Sequence, residues 1–228
     1  MALLGLDIGS SGCKATIVDA KGIVQAQTAR SYSLVSPGSG YHEINPNTVW
    51  SSVREIIRDA LAAYGGEPVM AVGISSFGEA VVALDREGNV LANSLIYTDV
   101  RGQAEAEFLE RELGNERVLE ITGTSIHPMY SICKIMWMKR NEPETYAKTW
   151  KFLLFADFIL FKLGAVPHTD YSLAARTMAF DVTRKQWSEE ILRCAGVPKE
   201  RFGQPVQAGT IVGRVQEAVA SELGLLPS

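Results

Sequence analysis

The residues best suited to chemistry lie near the start of the chain, in the segment Asp7-Ile8-Gly9-Ser10-Ser11-Gly12-Cys13-Lys14. A nucleotide phosphate needs backbone N–H groups that can point at oxygen, together with hydroxyls and a cation. Two glycines, two serines and Lys14 supply all of these within six residues. Magnesium keeps most of its waters and takes one or two carboxylates, so Asp7 is the candidate metal ligand, directly or through water. The segment predicts a phosphate site with an associated magnesium ion.

The same residues also fit a plain hairpin turn, because Asp, Gly and Ser are common in turns. The lysine and the flanking apolar strands favour a phosphate site, but both interpretations stay open on this segment alone. Two other phosphate motifs are excluded. A dinucleotide fingerprint needs G-x-G-x-x-G, and the spacing from Gly5 to Gly9 is wrong; a P-loop needs a Gly-Lys pair, which the sequence lacks.

The elements that must position this segment are predicted from its surroundings. Apolar runs before Asp7, at 14–18 and at 23–28 are separated by short turns, which predicts an antiparallel meander of three strands. Asn45 is a good N-cap and Pro46 fits the first helical position. Apolar residues then recur at helical period as far as the Gly65-Gly66 pair, which predicts a helix between these signals.

The remaining pattern predicts more strands and then a helical portion. A buried strand is expected at 69–75 and a further strand at 79–84. Helices are expected at 103–113, 131–140, 152–163, 187–195 and 215–223. This order predicts an α/β fold in one domain, with a mixed sheet, flanking helices and a helical insertion.

Bulk composition limits the classes of partner that we expect for this chain. The net charge of −4 comes from 22 basic and 26 acidic residues with no basic run, so no nucleic-acid partner is expected. Three widely spaced cysteines predict neither a disulfide framework nor a zinc site, and they favour a reducing cytosol. The most apolar stretch, 152–166, is too short to span a bilayer, and the N-terminus shows no signal peptide. We therefore expect a cytoplasmic protein with no membrane partner.

An ordered series of segments resembles the N-terminal half of FGGY carbohydrate kinases. The opening motif is similar to the first phosphate motif of the actin-like ATPase superfamily. Later segments match the FGGY family in order: GYHEINP at 40–46, AVGISSFGE at 71–79, YTDVR at 97–101, KIMW at 134–137, TDYS at 169–172 and AARTM at 174–178. The resemblance covers essentially the whole chain. It implies an actin-like (ribonuclease H-like) ATPase domain, with residues 1–228 forming the sugar-binding N-terminal domain.

The resemblance also implies ATP and Mg²⁺ as cofactors and phosphorylation of a sugar or polyol hydroxyl. The family's first aspartate, which interacts with magnesium and the phosphates, falls on Asp7. Its hydroxyls and basic residue at the γ-phosphate fall on Ser10, Ser11 and Lys14. Asp7 and Lys14 are therefore the expected catalytic residues, and Gly9, Ser10, Ser11 and Gly12 the expected phosphate-binding residues.

The family's sugar-binding pair falls on Gly78 and Glu79. The missing side chain at Gly78 leaves room or a water site, and the Glu79 carboxylate can accept two hydroxyl hydrogen bonds. The alternative for Glu79 is an exposed acid on an edge strand. Tyr97 replaces an aromatic residue that stacks on the substrate carbons; alternatively, it caps the core.

Three further residues are expected near the substrate by the same resemblance. Asp99 and Arg101 bind hydroxyls, or pair with each other as a scaffold, and both interpretations stay open. Met129 stands where glycerol kinases carry a tyrosine, so a hydrogen bond is not expected from it.

The family's second phosphate loop, adenosine site and catalytic aspartate are expected beyond Ser228. The aspartate belongs to a G-x-x-D segment that follows the region resembling 223–227 of this chain. We therefore expect the nucleotide-binding C-terminal domain to be absent and the isolated chain to be inactive. The oligomeric state of the full-length enzyme stays open, with a homodimer as one alternative. The alternative functions are a non-catalytic sugar-binding half-domain and another actin-like ATPase.

Overall fold

The structure is a computed structural model that describes residues 1–225. Residues 226–228, the end of the 223–227 region mentioned above, lie outside the described residues. The strands are β1 (Ala2–Ile8), β2 (Gly12–Asp19), β3 (Val24–Ser31), β4 (Glu43–Ile44), β5 (Val69–Ser76), β6 (Val81–Leu84), β7 (Ser94–Leu95), β8 (Lys151–Leu154), β9 (His168–Asp170), β10 (Phe180–Asp181), β11 (Gln186–Trp187) and β12 (Gln204–Val206).

The helices alternate with these strands and dominate the second half of the chain. They are α1 (Pro46–Tyr64), α2 (Gln103–Leu113), α3 (Asn115–Thr122), α4 (Ser131–Asn141), α5 (Pro143–Lys148), α6 (Phe155–Leu163), α7 (Tyr171–Ala175), α8 (Glu189–Ala195) and α9 (Glu217–Leu223), with a 3-10 turn at Lys199–Arg201.

The main sheet has the order β3-β2-β1-β5. The β1–β2 and β2–β3 pairs are antiparallel and the β1–β5 pair is parallel, so the predicted meander and mixed sheet are confirmed. Successive strand residues point to opposite faces. Along β1, burial alternates strictly, and Asp7 belongs to the exposed set.

Helix α1 covers the buried face of this sheet. The Asn45 side chain accepts hydrogen bonds from the amides of Asn47 and Thr48, and Gly65 ends the helix in a left-handed conformation with φ of 54°. The predicted helix and both its end signals are confirmed. Its buried residues pack against β2 and β3 in the first hydrophobic core, which leaves the Asp7 face of the sheet uncovered.

A second hydrophobic core holds the helical portion together. It contains buried residues of α2, α3, α4, α7 and α8 and of strands β6 and β8. The predicted helices at 103–113 and 131–140 are present, the second extended by one residue. Helices α3, α5 and α7 were not predicted; each has eight residues or fewer, too short for a periodic apolar pattern.

Some predicted elements differ in the structure. The strand at 69–75 exists as β5 but is not buried, because it lies at the edge of the sheet and one of its faces is open. The predicted helix at 152–163 begins only at Phe155, since the residues before it form β8 and pair with β6. A short apolar run does not distinguish a buried strand from a buried helix.

The helix expected at 187–195 begins at Glu189. Trp187 instead pairs with Phe180 in a short hairpin, and Ser188 caps the helix by accepting a hydrogen bond from the amide of Ile191. The helix expected at 215–223 begins at Glu217. Across residues 1–225, none of the helices combines the length and the apolar character needed to cross a bilayer.

Candidate active site

The phosphate motif forms the hairpin between β1 and β2, with its turn at the carboxyl end of β1. Asp7 lies opposite Lys14 of β2 and opposite Ser75 of β5 in the strand register. Directly opposite residues project from the same face of a sheet, so these three side chains lie side by side on the open face. Ser75 Oγ donates a hydrogen bond of 3.1 Å to Asp7 Oδ1. Ser75 was not singled out from the sequence, because its proximity to Asp7 depends on the parallel pairing.

The turn of this hairpin is closed internally. The Gly9 amide donates to the Gly12 carbonyl at 2.8 Å, and the Tyr32 hydroxyl lies 2.5 Å from the Gly9 carbonyl oxygen and 3.0 Å from that of Gly12. Burial is the main cause that raises the pKa of Tyr32, and the neighbouring Cys13 and Asp7 raise it further, so the hydroxyl stays a donor. The Gly9 amide is therefore engaged within the turn, and the phosphate contact expected of Gly9 stays a prediction.

Ser10 and Ser11 supply the remaining hydrogen-bond donors of the predicted phosphate site, which we call the phosphate cradle. Within residues 1–225, no hydrogen bond of the protein occupies the amides of Ser10 or Ser11. Glycine is needed at position 12 because an added Cβ would lie 2.6 Å from the Arg30 carbonyl oxygen. Lys14 is exposed on the same sheet face as Asp7, and both serines lie in the turn between their two strands.

This donor set fits a nucleotide–magnesium complex. Among the described residues, no group of three or more His, Cys, Asp or Glu side chains could hold a metal ion. Asp7 is a single exposed carboxylate beside a phosphate cradle. Magnesium is commonly held by one or two carboxylates together with substrate phosphates and water, so the residues present suit that ion.

The predicted sugar pair follows directly from β5. The Phe77 amide donates to the Ile8 carbonyl at 2.9 Å, which ties the exit of β5 to the exit of β1. The carboxyl ends of both parallel strands thus meet at one edge, where ligands bind in open α/β sheets. Glu79 is only four residues beyond Ser75, so the predicted sugar pair follows directly on the strand end that carries Ser75.

Glu79 is buried, which rules out an exposed edge-strand acid. It is 5% exposed, lies outside β6 and has a φ of 66°. Its carbonyl accepts a hydrogen bond from Ser131 Oγ, and its Oε1 accepts one of 2.5 Å from Arg176 Nε. A left-handed conformation is unusual for a residue with a side chain, and such strain clusters at functional sites.

The space beside Gly78 is filled by Arg176. A Cβ on Gly78 would lie 2.9 Å from Arg176 Cγ and 3.0 Å from its Cβ. The prediction that Gly78 leaves room or a water site is therefore corrected. Arg176 belongs to the AARTM segment, for which the sequence predicted no role. Its partner is 97 residues away, so no local pattern reveals the pairing.

Tyr97 and Met129 are not joined to this pair. Tyr97 is 41% exposed, so it does not cap the core. Met129 is half-buried against the second core, and its amide donates to His127 Nδ1 at 3.1 Å. Among the described residues, neither is hydrogen-bonded to Glu79. Their contact with a substrate stays a prediction.

Asp99 and Arg101 form a buried ion pair. Their side chains are 0% and 6% exposed, and Arg101 Nη2 also reaches Glu43 Oε1 at 2.8 Å. Both Asp99 oxygens accept hydrogen bonds from Arg101, and Oδ2 accepts one more from the His42 amide at 2.7 Å. The scaffold interpretation fits this geometry, since the carboxylate has little capacity left for a sugar hydroxyl.

The pKa of Asp99 reflects two opposing effects. Burial raises it, but the hydrogen bonds from the Arg101 side chain and from the amides of His42 and Arg101 outweigh burial, so the pKa of Asp99 is lowered. The carboxylate is therefore ionised at neutral pH.

Lys134 anchors the same loop from α4. It is buried, and its Nζ donates to the carbonyl oxygens of Asp99 and Arg101 at 2.6 and 2.5 Å. Burial lowers the pKa of Lys134 to about 8, although the Asp99 charge opposes this shift. Lys134 thus fixes the backbone of the loop that carries Tyr97.

The buried lysine predicts a specific pH dependence. An unfolded lysine titrates near pH 10.4, so between about pH 8 and 10 the unfolded chain binds more protons than the native chain. The free energy of unfolding of the wild type should therefore rise with pH relative to Lys134→Met, by about 2 kcal/mol over this window. Urea unfolding at several pH values measures this difference. A pH-independent difference would show that Lys134 keeps its ordinary pKa.

Comparison with known proteins places the chain in a family. Residues 2–228 match the FGGY family of carbohydrate kinases, N-terminal domain. Xylulose kinase of Bacillus subtilis (strain 168) is 31% identical over 226 residues, which are 98% of this chain and 45% of that protein. Gluconokinase of Bacillus licheniformis is 27% identical, over 99% of this chain and 44% of that protein. The chain thus spans about half the length of the curated relatives it matches.

Solved structures agree with the sequence comparison. A xyloylose kinase from Brucella ovis superposes with a TM-score of 0.94 at 27% identity, covering 100% of this chain and 47% of that one. The mixed sheet with flanking helices is consistent with an actin-like ATPase fold, as the sequence predicted. The chain belongs to the FGGY family of carbohydrate kinases and matches the model of that family's N-terminal domain over residues 2–228.

Proposed function

We propose that the protein containing this chain transfers the γ-phosphate of ATP to a hydroxyl of a sugar or polyol. One observation carries this proposal: Asp7, Lys14 and Ser75 lie side by side near the carboxyl ends of β1 and β5, and the chain leads from β5 to the Glu79–Arg176 pair within four residues of Ser75. We therefore assign a phosphate cradle and a hydroxyl-binding pair to the same end of the sheet. The names of the relatives, which include xylulose kinase, gluconokinase and glycerol kinase, support the reaction class.

Phosphoryl transfer depends mainly on positioning and on stabilising charge. The free amides and hydroxyls of Ser10 and Ser11 would hold the terminal phosphate, and Lys14 would offset its negative charge. Asp7 would hold the magnesium ion, which when bound supplies further charge neutralisation. The Glu79 carboxylate would orient the accepting hydroxyl groups.

We assign this chain the sugar site and the first phosphate loop. Asp7-Ile8-Gly9 is the only D-x-G segment in the sequence, so we propose that a second phosphate loop, the adenosine site and the catalytic aspartate come from the other half of the protein. We further propose a cytoplasmic protein, in line with its three widely spaced cysteines.

The roles proposed for this chain and for the other half of the protein can be tested directly. The complete protein is expected to phosphorylate at least one member of a sugar and polyol panel with ATP and Mg²⁺. The isolated 228-residue chain is expected to show no turnover, yet its melting temperature should rise with the same sugar, because ligand binding stabilises the native state. A coupled ADP assay and a thermal-shift assay measure the two results. Binding without turnover by the complete protein would instead indicate a non-catalytic sugar-binding protein.

A further inference from the structure

Arg176 is a candidate ligand-binding residue that the sequence motifs did not assign. It reaches the position left open by Gly78, where any larger residue would collide with its Cβ and Cγ. It forms an ion pair with the buried Glu79 and itself keeps 39% of its side chain exposed. The guanidinium thus stands at the surface of the site with the carboxylate directly behind it.

The pair leaves one donor edge and one acceptor oxygen unused. Arg176 Nε and Nη2 both contact Glu79 Oε1. Across residues 1–225, no hydrogen bond of the protein engages Glu79 Oε2 or Arg176 Nη1. An ionised carboxylate accepts hydrogen bonds and a guanidinium only donates them. Two neighbouring hydroxyls complement this arrangement, one donating to Glu79 and the other accepting from Arg176.

Both members of the pair are fixed by the start of helix α4. The buried Ser131 hydroxyl donates to the Glu79 carbonyl, and the Ile132 amide donates to the Thr177 carbonyl at 3.0 Å. The Tyr130 ring lies under the guanidinium, 5.2 Å from Arg176 Cζ. Such support reduces the conformational entropy lost when a ligand binds.

The surrounding charges favour an uncharged ligand. Arg176 cancels the charge of Glu79. In the neighbouring loop network, the charges of Arg101 and Lys134 equal those of Asp99 and Glu43. A carboxylate on the ligand would therefore gain no net attraction and would approach the Glu79 oxygen.

We propose that the Glu79–Arg176 pair binds a vicinal diol of an uncharged polyol or ketose and disfavours the corresponding sugar acid. This inference rests on the proposed function, since it names the substrate chemistry of the same site. It makes Arg176 a specificity-determining residue and explains why position 78 is glycine.

Calorimetric binding to the complete protein tests this inference. The probes are polyols and ketoses, with each polyol paired to the aldonate of the same carbon configuration, such as sorbitol and gluconate. We expect the wild type to prefer the uncharged member. Arg176→Gln should weaken its binding roughly tenfold to a hundredfold, the usual effect of losing a hydrogen bond to a charged group. Arg184→Gln, which alters a 75% exposed arginine that pairs with Asp181 and not with Glu79, is the matched control and should leave Kd unchanged.

Two more variants separate recognition from folding. Gly78→Ala removes no polar group but displaces Arg176, so it should weaken the same ligand while the unliganded protein still unfolds cooperatively. Glu79→Gln leaves the Arg176 charge uncancelled and should shift the preference towards the aldonate by roughly tenfold. A purely structural role for the pair would not change this selectivity.

The outcomes distinguish the two proposals. If the wild type neither binds nor phosphorylates any probe, the proposed function is wrong. If it binds a polyol or ketose and Arg176→Gln, or Arg176→Lys where the glutamine variant does not fold, binds it equally well, the inference is wrong and the proposed function stands. A wild-type preference for the aldonate likewise overturns the inference alone.

Discussion

Replacing Asp7 with asparagine is expected to lower the turnover of the complete protein roughly a hundredfold to a thousandfold, the usual cost of losing one preorganised electrostatic contact to the reacting group. The substitution keeps the size of the side chain and its hydrogen bond from Ser75, but it removes the negative charge that suits magnesium. Because Asp7 is exposed near the end of β1, the melting temperature should change little. Steady-state kinetics with ATP and the preferred sugar measures the effect.

Asp59→Asn is the matched control for this experiment. Asp59 lies on α1, which covers the other face of the sheet, and it forms a surface ion pair with Arg30. Its loss should leave kcat unchanged. Retention of more than half the wild-type kcat by Asp7→Asn would show that the carboxylate does not serve the phosphates or their metal, and the hairpin would then be a structural turn.

Replacing Arg101 with methionine is expected to destabilise the fold by about 3–5 kcal/mol, because it leaves a buried carboxylate without its partner. Asp99 is fully buried and takes several of its hydrogen bonds from Arg101. Arg101 also stacks on the rings of Tyr41 and Trp137, at 4.3 and 5.0 Å from their centres. Urea unfolding measures the change, which corresponds to a fall in Tm of roughly 10 °C for a chain of this size.

Arg117→Met gives the comparison for an exposed ion pair. Arg117 contacts Glu120 and Glu190 on the surface and is 45% exposed. Such pairs contribute about 0–1 kcal/mol, so this variant should differ little from the wild type. If Arg101→Met loses no more free energy of unfolding than Arg117→Met, the Asp99 carboxylate must be hydrated or protonated in the variant.

The parts of the fold that were predictable have local signals. The meander follows from apolar runs between short turns, and helix α1 follows from Asn45, Pro46 and the glycine pair at its end. The signal for the hairpin between β1 and β2 lies within eight consecutive residues, so the amino-acid sequence is enough to locate this hairpin. The strand at 152–154 was missed because burial on all sides gives strand and helix the same apolar run.

The parts of the site that were missed depend on contacts between distant segments. Glu79 meets Arg176 across 97 residues, and Arg101 meets Glu43 across 58. Lys134 is buried only because α4 packs beneath the loop containing Asp99. Each residue type appears ordinary in its local sequence, since charged side chains usually lie in solvent. Tertiary pairing therefore decides which of these charged side chains are buried.

The hydrogen bonds from Tyr32 to the turn at residues 9–12 bear on the affinity of that turn for a ligand. Three contacts from Tyr32 hold the turn: its hydroxyl with the carbonyls of Gly9 and Gly12, and its amide with that of Ser11. Ordering one backbone residue costs roughly 1–2 kcal/mol, and here that cost is met when the chain folds. Under the proposed function, a triphosphate would therefore bind a preformed turn, and none of its binding free energy would be spent on ordering that segment.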